Sequence, residues 1–172
     1  TGWYISNVLK KQNNSIVFNF LLLISISFFG WMLAKAEPLK KARHSIIITI
    51  NIFIFLAIGN LLFFQGLWIY NSYTEITGDI MLSILCCYFF YSIINETNFR
   101  DIFKYEYFWL ATGILFSALG GIILYMFLDL LEAYKKQTGI NVYGYINYAI
   151  NLLLYASLIV AFICRRMITK SR

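Results

Sequence analysis

The chain is predicted to be all-α: a polytopic transmembrane bundle with five full spans plus the end of a preceding helix. Three observations lead there. Sixty per cent of its 172 residues are apolar and only 13% are charged, against roughly 25% charged in a soluble domain. Five long apolar stretches, at about 16–34, 45–70, 77–95, 107–131 and 143–164, are separated by short polar loops. Each is long enough to cross a bilayer, since about 20 helical residues at 1.5 Å rise cover roughly 30 Å of hydrocarbon. No water-facing stripe can be drawn either: Ile46 to Ile58 is interrupted only by Thr49 and Asn51, where a soluble helix would carry a continuous polar face.

The first nine residues, containing Trp3 to Leu9 (WYISNVL), read as the last turns of an earlier transmembrane helix that ends at Lys10 and Lys11. They lack the basic region and small-residue cleavage site of a signal peptide. Asn13, Asn14 and Ser15 offer capping oxygens for the first full span, and Pro38 closes it. Glu96 to Glu106 (ETNFRDIFKYE) is expected to be a short amphipathic surface piece, with Phe99, Ile102 and Phe103 toward lipid and Arg100 and Lys104 toward headgroups. Gly139 and Asn141 mark the turn into the last span. No second domain, repeat or low-complexity tract is present.

The net charge of +6 sits in loops and tail, which excludes a duplex-binding face and makes nucleic acid an unexpected partner. With a crossing at each stretch, one side collects Lys35, Lys40, Lys41, Arg43, Arg100, Lys104, Arg165, Arg166, Lys170 and Arg172. The other keeps Lys10, Lys11, Lys135 and Lys136, so the 14 basic residues divide ten to four. The positive-inside bias places the richer side, and with it the tail 165–172, in the cytoplasm of a bacterial inner membrane.

Several residues are candidates for a role beyond spanning. Gly113, Ser117 and Gly121, with Gly120 beside them, form a small-residue ridge at i, i+4, i+8. It suits close approach of a helix, either within this bundle or from a partner protein. Asn147, Asn151 and Tyr155 share one helix face and should point inward as a polar seam, because an amide in hydrocarbon is costly unless paired. Asn19, Asn51, Asn60 and Gln65 are its candidate partners. Such a seam either lines a cavity or ties helices together at about 0.6–2 kcal/mol per contact. Asn71, Glu75 and Asp79 fall on one face if NSYTEITGD is helical. The loop position instead suggests a solvated acidic cluster of Glu75 and Asp79 on the outer side, and Asp129 and Glu132 read alike.

Enzymatic chemistry finds little support. There is no Ser/His/Asp set, Cys/His cluster, phosphate loop or HExxH helix, and His44 is the only histidine. Cys86, Cys87 and Cys164 read as small hydrophobes. Neither cofactor nor metal is expected.

The run YNSYTEITGDIMLSILCCYFFYSIINE, then YFWLATGILFSALGGIILYMF, then INYAINLLLYASLIVAFICRR resembles a group of small polytopic inner-membrane proteins of Bacteroidota. Members show an NSYT stretch before one span, an FW…GIL…SG span after a charged loop, and a final LN…LY span with a basic tail. This chain departs from that pattern at Ala118 to Gly121. The resemblance implies about two further N-terminal spans, hence about seven in all, a topology shared by analogy with receptors; it carries no assigned activity. The leading expectation is a non-enzymatic membrane subunit, sensor or accessory acting through a protein partner in the bilayer. The alternative is a small transporter or a binder of lipid or small ligand that uses the polar seam.

Overall fold

In a computed structural model the backbone is described over residues 2–66, 70–95 and 102–170, and the side chains over 15–66, 70–95 and 102–167. Six α-helices, two short 3-10 turns and no strand make up the described residues. The helices are α1 (Gly2–Ala34), α2 (Arg43–Phe63), α3 (Ser72–Asn95), α4 (Glu106–Met126), α5 (Leu128–Thr138) and α6 (Val142–Lys170). Five stretches within them are long and apolar enough to cross a membrane: Ser15–Ala34, Arg43–Phe63, Ser72–Asn95, Glu106–Met126 and Val142–Met167. The chain is therefore an all-helical, multi-pass membrane protein.

Several boundaries differ from those expected. α1 runs unbroken through Lys10, Lys11, Asn13, Asn14 and Ser15, so residues 2–9 belong to the same helix as the first span. No Pro or Gly interrupts that segment, and Asn or Ser inside a helix costs only a few tenths of a kcal/mol each. α2 stops at Phe63, seven residues short of 70, where the backbone N–H groups of Phe64 and Gln65 both donate to Asn60 O at 3.0 Å. Gly66 follows at φ +79°, a conformation that suits glycine. α3 begins at Ser72, before the expected 77, so most of NSYTEITGD is helix. The fourth stretch divides at Phe127, leaving α5 as a separate 11-residue helix with no buried residue. α5 ends on Gly139 at φ +75°, the left-handed C-terminal stop expected there. In the anticipated amphipathic piece, residues 96–101 lie outside the described set, and Ile102–Lys104 is a single 3-10 turn.

The fold is centred on α3 and α4, whose Cys86, Phe89 and Ile114 are fully buried together with Leu33 of α1 and Leu39 of the α1–α2 connection. α6 packs along α4, while α1 crosses α3 and carries α2 on its outer side. Cys87 is exposed and Cys164 is buried. The exposed Phe, Leu and Ile side chains of α1, α2 and α6 form the surface that meets lipid.

Basic loops close one end of the bundle. Arg43 donates from Nε to Ala34 O at 2.9 Å and from Nη2 to Lys35 O at 3.1 Å, satisfying two carbonyls that α1 leaves open. Lys35 stands over the Trp31 ring at 3.3 Å. The hydroxyl of Tyr105 accepts from the Glu37 N–H at 3.1 Å, tying the α1–α2 connection to the start of α4.

Candidate functional site

The opposite end is polar inside. Asn71 precedes α3, and its Oδ1 accepts from the Thr74 N–H at 3.4 Å, the geometry of an N-cap. Starting the helix there sets Asn71, Glu75 and Asp79 on one face, and tertiary packing turns that face into the bundle. Asn71 is 0% exposed. Its Oδ1 also accepts from Asn60 Nδ2 at 2.6 Å, and its backbone N–H donates to Asn19 Oδ1 at 2.8 Å. Asn60 Nδ2 further reaches Thr74 Oγ1 at 3.2 Å and Gln65 Oε1 at 3.0 Å. This cluster joins α1, α2 and α3.

One turn further in, Glu75 accepts a hydrogen bond from the Tyr70 hydroxyl. Tyr70 lies 3.0 Å from the Tyr125 hydroxyl, and Tyr125 lies 3.5 Å from that of Tyr143. The Tyr70 and Tyr125 rings stack with centroids 5.9 Å apart. Burial, and then the adjacent Glu75 carboxylate, push the Tyr70 hydroxyl well above its ordinary pKa. A hydroxyl held in its protonated form keeps its donor for Glu75. Asp79, one turn deeper than Glu75, makes no hydrogen bond or ion pair among the described residues.

Both carboxylates line a cleft. Its deeper part, about 370 Å³, has Glu75, Asp79 and Leu82 of α3 and Ile114, Ser117 and Ala118 of α4 on the floor. Phe18, Leu21, Ser25 and Phe29 of α1 form one wall, and Asn151, Leu154 and Tyr155 of α6 the other. A second part, about 550 Å³, continues toward the loops, lined by Tyr125, Tyr143, Asn147 and the α5 residues Leu128, Leu131, Glu132 and Lys135. Phe18, Tyr70 and Glu75 border both parts. Asp79 lies seven residues inside the start of α3, roughly 10 Å along its axis. At that depth a carboxylate is tolerated only against a cavity or a partner.

The residues singled out from the sequence fall into this arrangement as follows. Glu75 and Asp79 do not form a solvated loop cluster: α3 starts early enough to carry them into the bundle. Asn147 borders the outer part of the cleft, and Asn151 and Tyr155 the deeper part. Asn151 Nδ2 donates to Asn147 O at 2.8 Å and to Asn147 Oδ1 at 3.2 Å, so the seam is bonded within α6. The partners anticipated for it serve elsewhere. Asn19, Asn60 and Gln65 join the Asn71 cluster, and Asn51 faces outward, donating to Ile47 O at 2.9 Å.

The small-residue ridge is filled from within the chain. A Cβ at Gly113 would stand 2.6 Å from Ser157 Cβ, one at Gly120 would stand 2.6 Å from Ile150 Cδ1, and one at Gly121 would strike the Asp79 carboxylate. Ser117 faces the cleft. Three glycines thus let α6 and α3 approach α4, which is the packing within this bundle that such a ridge suits. Glu132 borders the mouth, whereas Asp129 is exposed. Tyr70, Tyr125 and Tyr143 were not anticipated. The only available signal was Tyr70 at i−5 from Glu75, which is lost in a chain with 13 tyrosines.

Among the described residues no group of three His, Cys, Asp or Glu could hold a metal ion. No protein-family model, curated protein or solved structure matches the chain.

Proposed function

We propose that this multi-pass membrane protein binds a small polar or amphipathic molecule in the cleft between α1 and α6. In this reading it acts as a non-enzymatic binder or small transporter. The observation that carries it is the cleft, with the unpaired carboxylate of Asp79 on its floor. Pockets of several hundred Å³ with a few convergent polar groups are the usual form of ligand sites. Glu75 and Asp79 place two carboxyl groups on the deeper floor, and among the described lining residues Lys135, at the outer mouth, is the only basic one. A molecule with a positively charged group is the complementary occupant, and Phe18, Phe29 and Tyr155 supply apolar or cation–π contact for it. The charge distribution of the loops supports a bacterial inner-membrane orientation with the basic end in the cytoplasm. The ligand would then enter from the other side or laterally from the bilayer.

The test is thermal unfolding of the purified protein against matched panels of amines, neutral analogues and carboxylates. Some amines should raise the melting temperature of the wild type, because a ligand bound only to the folded state stabilises it by mass action. That shift should be lost in Glu75→Gln and Asp79→Asn. Absence of any shift across all panels, or a shift that survives both substitutions, would refute the site.

A second reading, the membrane subunit of a larger complex, is favoured by the same cleft being open between α1 and α6. A partner helix with a basic residue at mid-depth would fit there. It predicts a stoichiometric partner in mild-detergent purification, released by Asp79→Asn.

A further inference from the structure

A second concavity lies on the far side of α3 from the cleft, between α2 and α3. It has a volume of about 460 Å³ and an almost wholly apolar wall, with Ile46 and Thr49 on α2 facing Ile80, Ile84 and Tyr88 on α3. α2 leans on the bundle through few residues, Ile50, Ala57 and Leu61 being its buried ones, and this leaves the groove open to the bilayer. An empty groove of this size would forfeit the dispersion contacts of its walls, and an acyl chain has the shape and polarity to fill it.

The upper end of the groove is charged. Ala42 and Ser45 line it there, and Lys41 is the chain neighbour of Ala42, in the turn that leads into α2. α2 begins on Ala42 with no side-chain cap and no acidic residue in its first turn. Its free N–H groups and the positive end of its dipole therefore lack the usual anionic neighbour. The surrounding cations are unequally engaged. Arg43 is held by the carbonyls of Ala34 and Lys35, and Lys40 pairs with Glu37 at 3.4 Å. Lys41 is exposed and makes no hydrogen bond or ion pair among the described residues.

We propose that this groove is a binding site for one anionic phospholipid. The acyl chain lies between Ile46 and Ile84, and the phosphate lies at Lys41 and the uncapped first turn of α2. Positive charge at the top of an interhelical apolar groove selects an anionic headgroup, and the chain-shaped wall below selects a lipid over free phosphate. This site is separate from the cleft and does not depend on what the cleft binds.

The test is native mass spectrometry of the protein released from nanodiscs of equal phosphatidylglycerol and phosphatidylcholine, with Lys41→Glu and Thr49→Trp beside the wild type. Thr49 faces lipid at the groove, so the Trp fills it without entering the core. The wild type should retain one phosphatidylglycerol several-fold more often than phosphatidylcholine. Lys41→Glu should bring that ratio close to one while a lipid is still retained, and Thr49→Trp should lower retention of both lipids. Equal retention by the wild type, or a preference unchanged by both substitutions, would overturn the proposal. So would a dimer that excludes lipid from the groove. Unaltered thermal unfolding of the variants guards against misfolding as the cause.

Discussion

The carboxylate of Asp79 occupies the space that a side chain would need at Gly121. The glycine on α4 and the acid on α3 thereby define the floor of the cleft together. Gly121→Val should push Asp79 aside and separate the two helices, at a cost of about 1–3 kcal/mol. Asp79→Ala combined with Gly121→Val should recover much of that loss. Thermal unfolding of the two single variants and the double variant checks this, since additive losses would mean that the pair is not in contact.

Gly113 and Gly59 make a contrasting pair. At Gly113 an added methyl meets Ser157 Cβ at 2.6 Å and Leu154 Cδ1 at 3.5 Å, whereas nothing lies within 4 Å of one at Gly59. Gly113→Ala should therefore destabilise the α4–α6 contact by about 1–3 kcal/mol. Gly59→Ala should be neutral or stabilising by up to about 1 kcal/mol, through the lower backbone entropy of alanine. Denaturation curves in one detergent distinguish the two directly.

The Asn60–Asn71 hydrogen bond, at 2.6 Å, links the end of α2 to the start of α3. Asn60→Leu removes the donor and leaves a buried acceptor short of a partner, with an expected loss of about 1–2 kcal/mol. A double-mutant cycle with Asn71→Leu should give a coupling energy above about 0.5 kcal/mol. Zero coupling would show that the two amides stabilise the fold independently.

Tyr105 provides a pH dependence whose sign follows from its surroundings. Burial first, and then the acidic Glu106 and Glu37 and the neighbouring Tyr107, outweigh the hydrogen bond from Glu37 N–H and raise its hydroxyl pKa from 10.0 to about 12. Between those values the unfolded chain has lost the proton and the folded chain keeps it. Stability should thus be unaffected by this group below pH 10 and should fall as pH rises toward 12. Tyr105→Phe should flatten that part of the profile, as followed by the ultraviolet absorbance of tyrosinate during alkaline titration.

Substituting the tyrosine chain tests the cleft at its entrance. Tyr70→Phe removes the donor to Glu75 while keeping the stacked ring. It should weaken binding of an amine several-fold while the melting temperature without ligand changes little. A large change in stability with no change in binding would place Tyr70 in the scaffold only.

Hydropathy alone was enough to determine that the chain is helical and crosses a membrane several times. Hydrocarbon offers no partner to a peptide group, so each span must bond its own backbone. Local chemistry also determined the stop at Gly139 and the shared face of Asn71, Glu75 and Asp79, because both depend on spacing along a single helix. The boundaries at Phe63 and Phe127 were harder to read, since an apolar run continues past each of them and hydropathy cannot mark where a helix breaks inside it; the start at Ser72 was missed for the opposite reason, because the polar NSYTEITGD reads as a loop. Which polar residues meet was decided by tertiary structure alone. Asn19 and Asn60 gather on Asn71, and the ridge of Gly113, Gly120 and Gly121 is filled by Ser157, Ile150 and Asp79. Those pairings depend on how each helix is rotated about its axis. In a chain whose helices are apolar almost all round, only close packing against α3 and α4 sets that rotation.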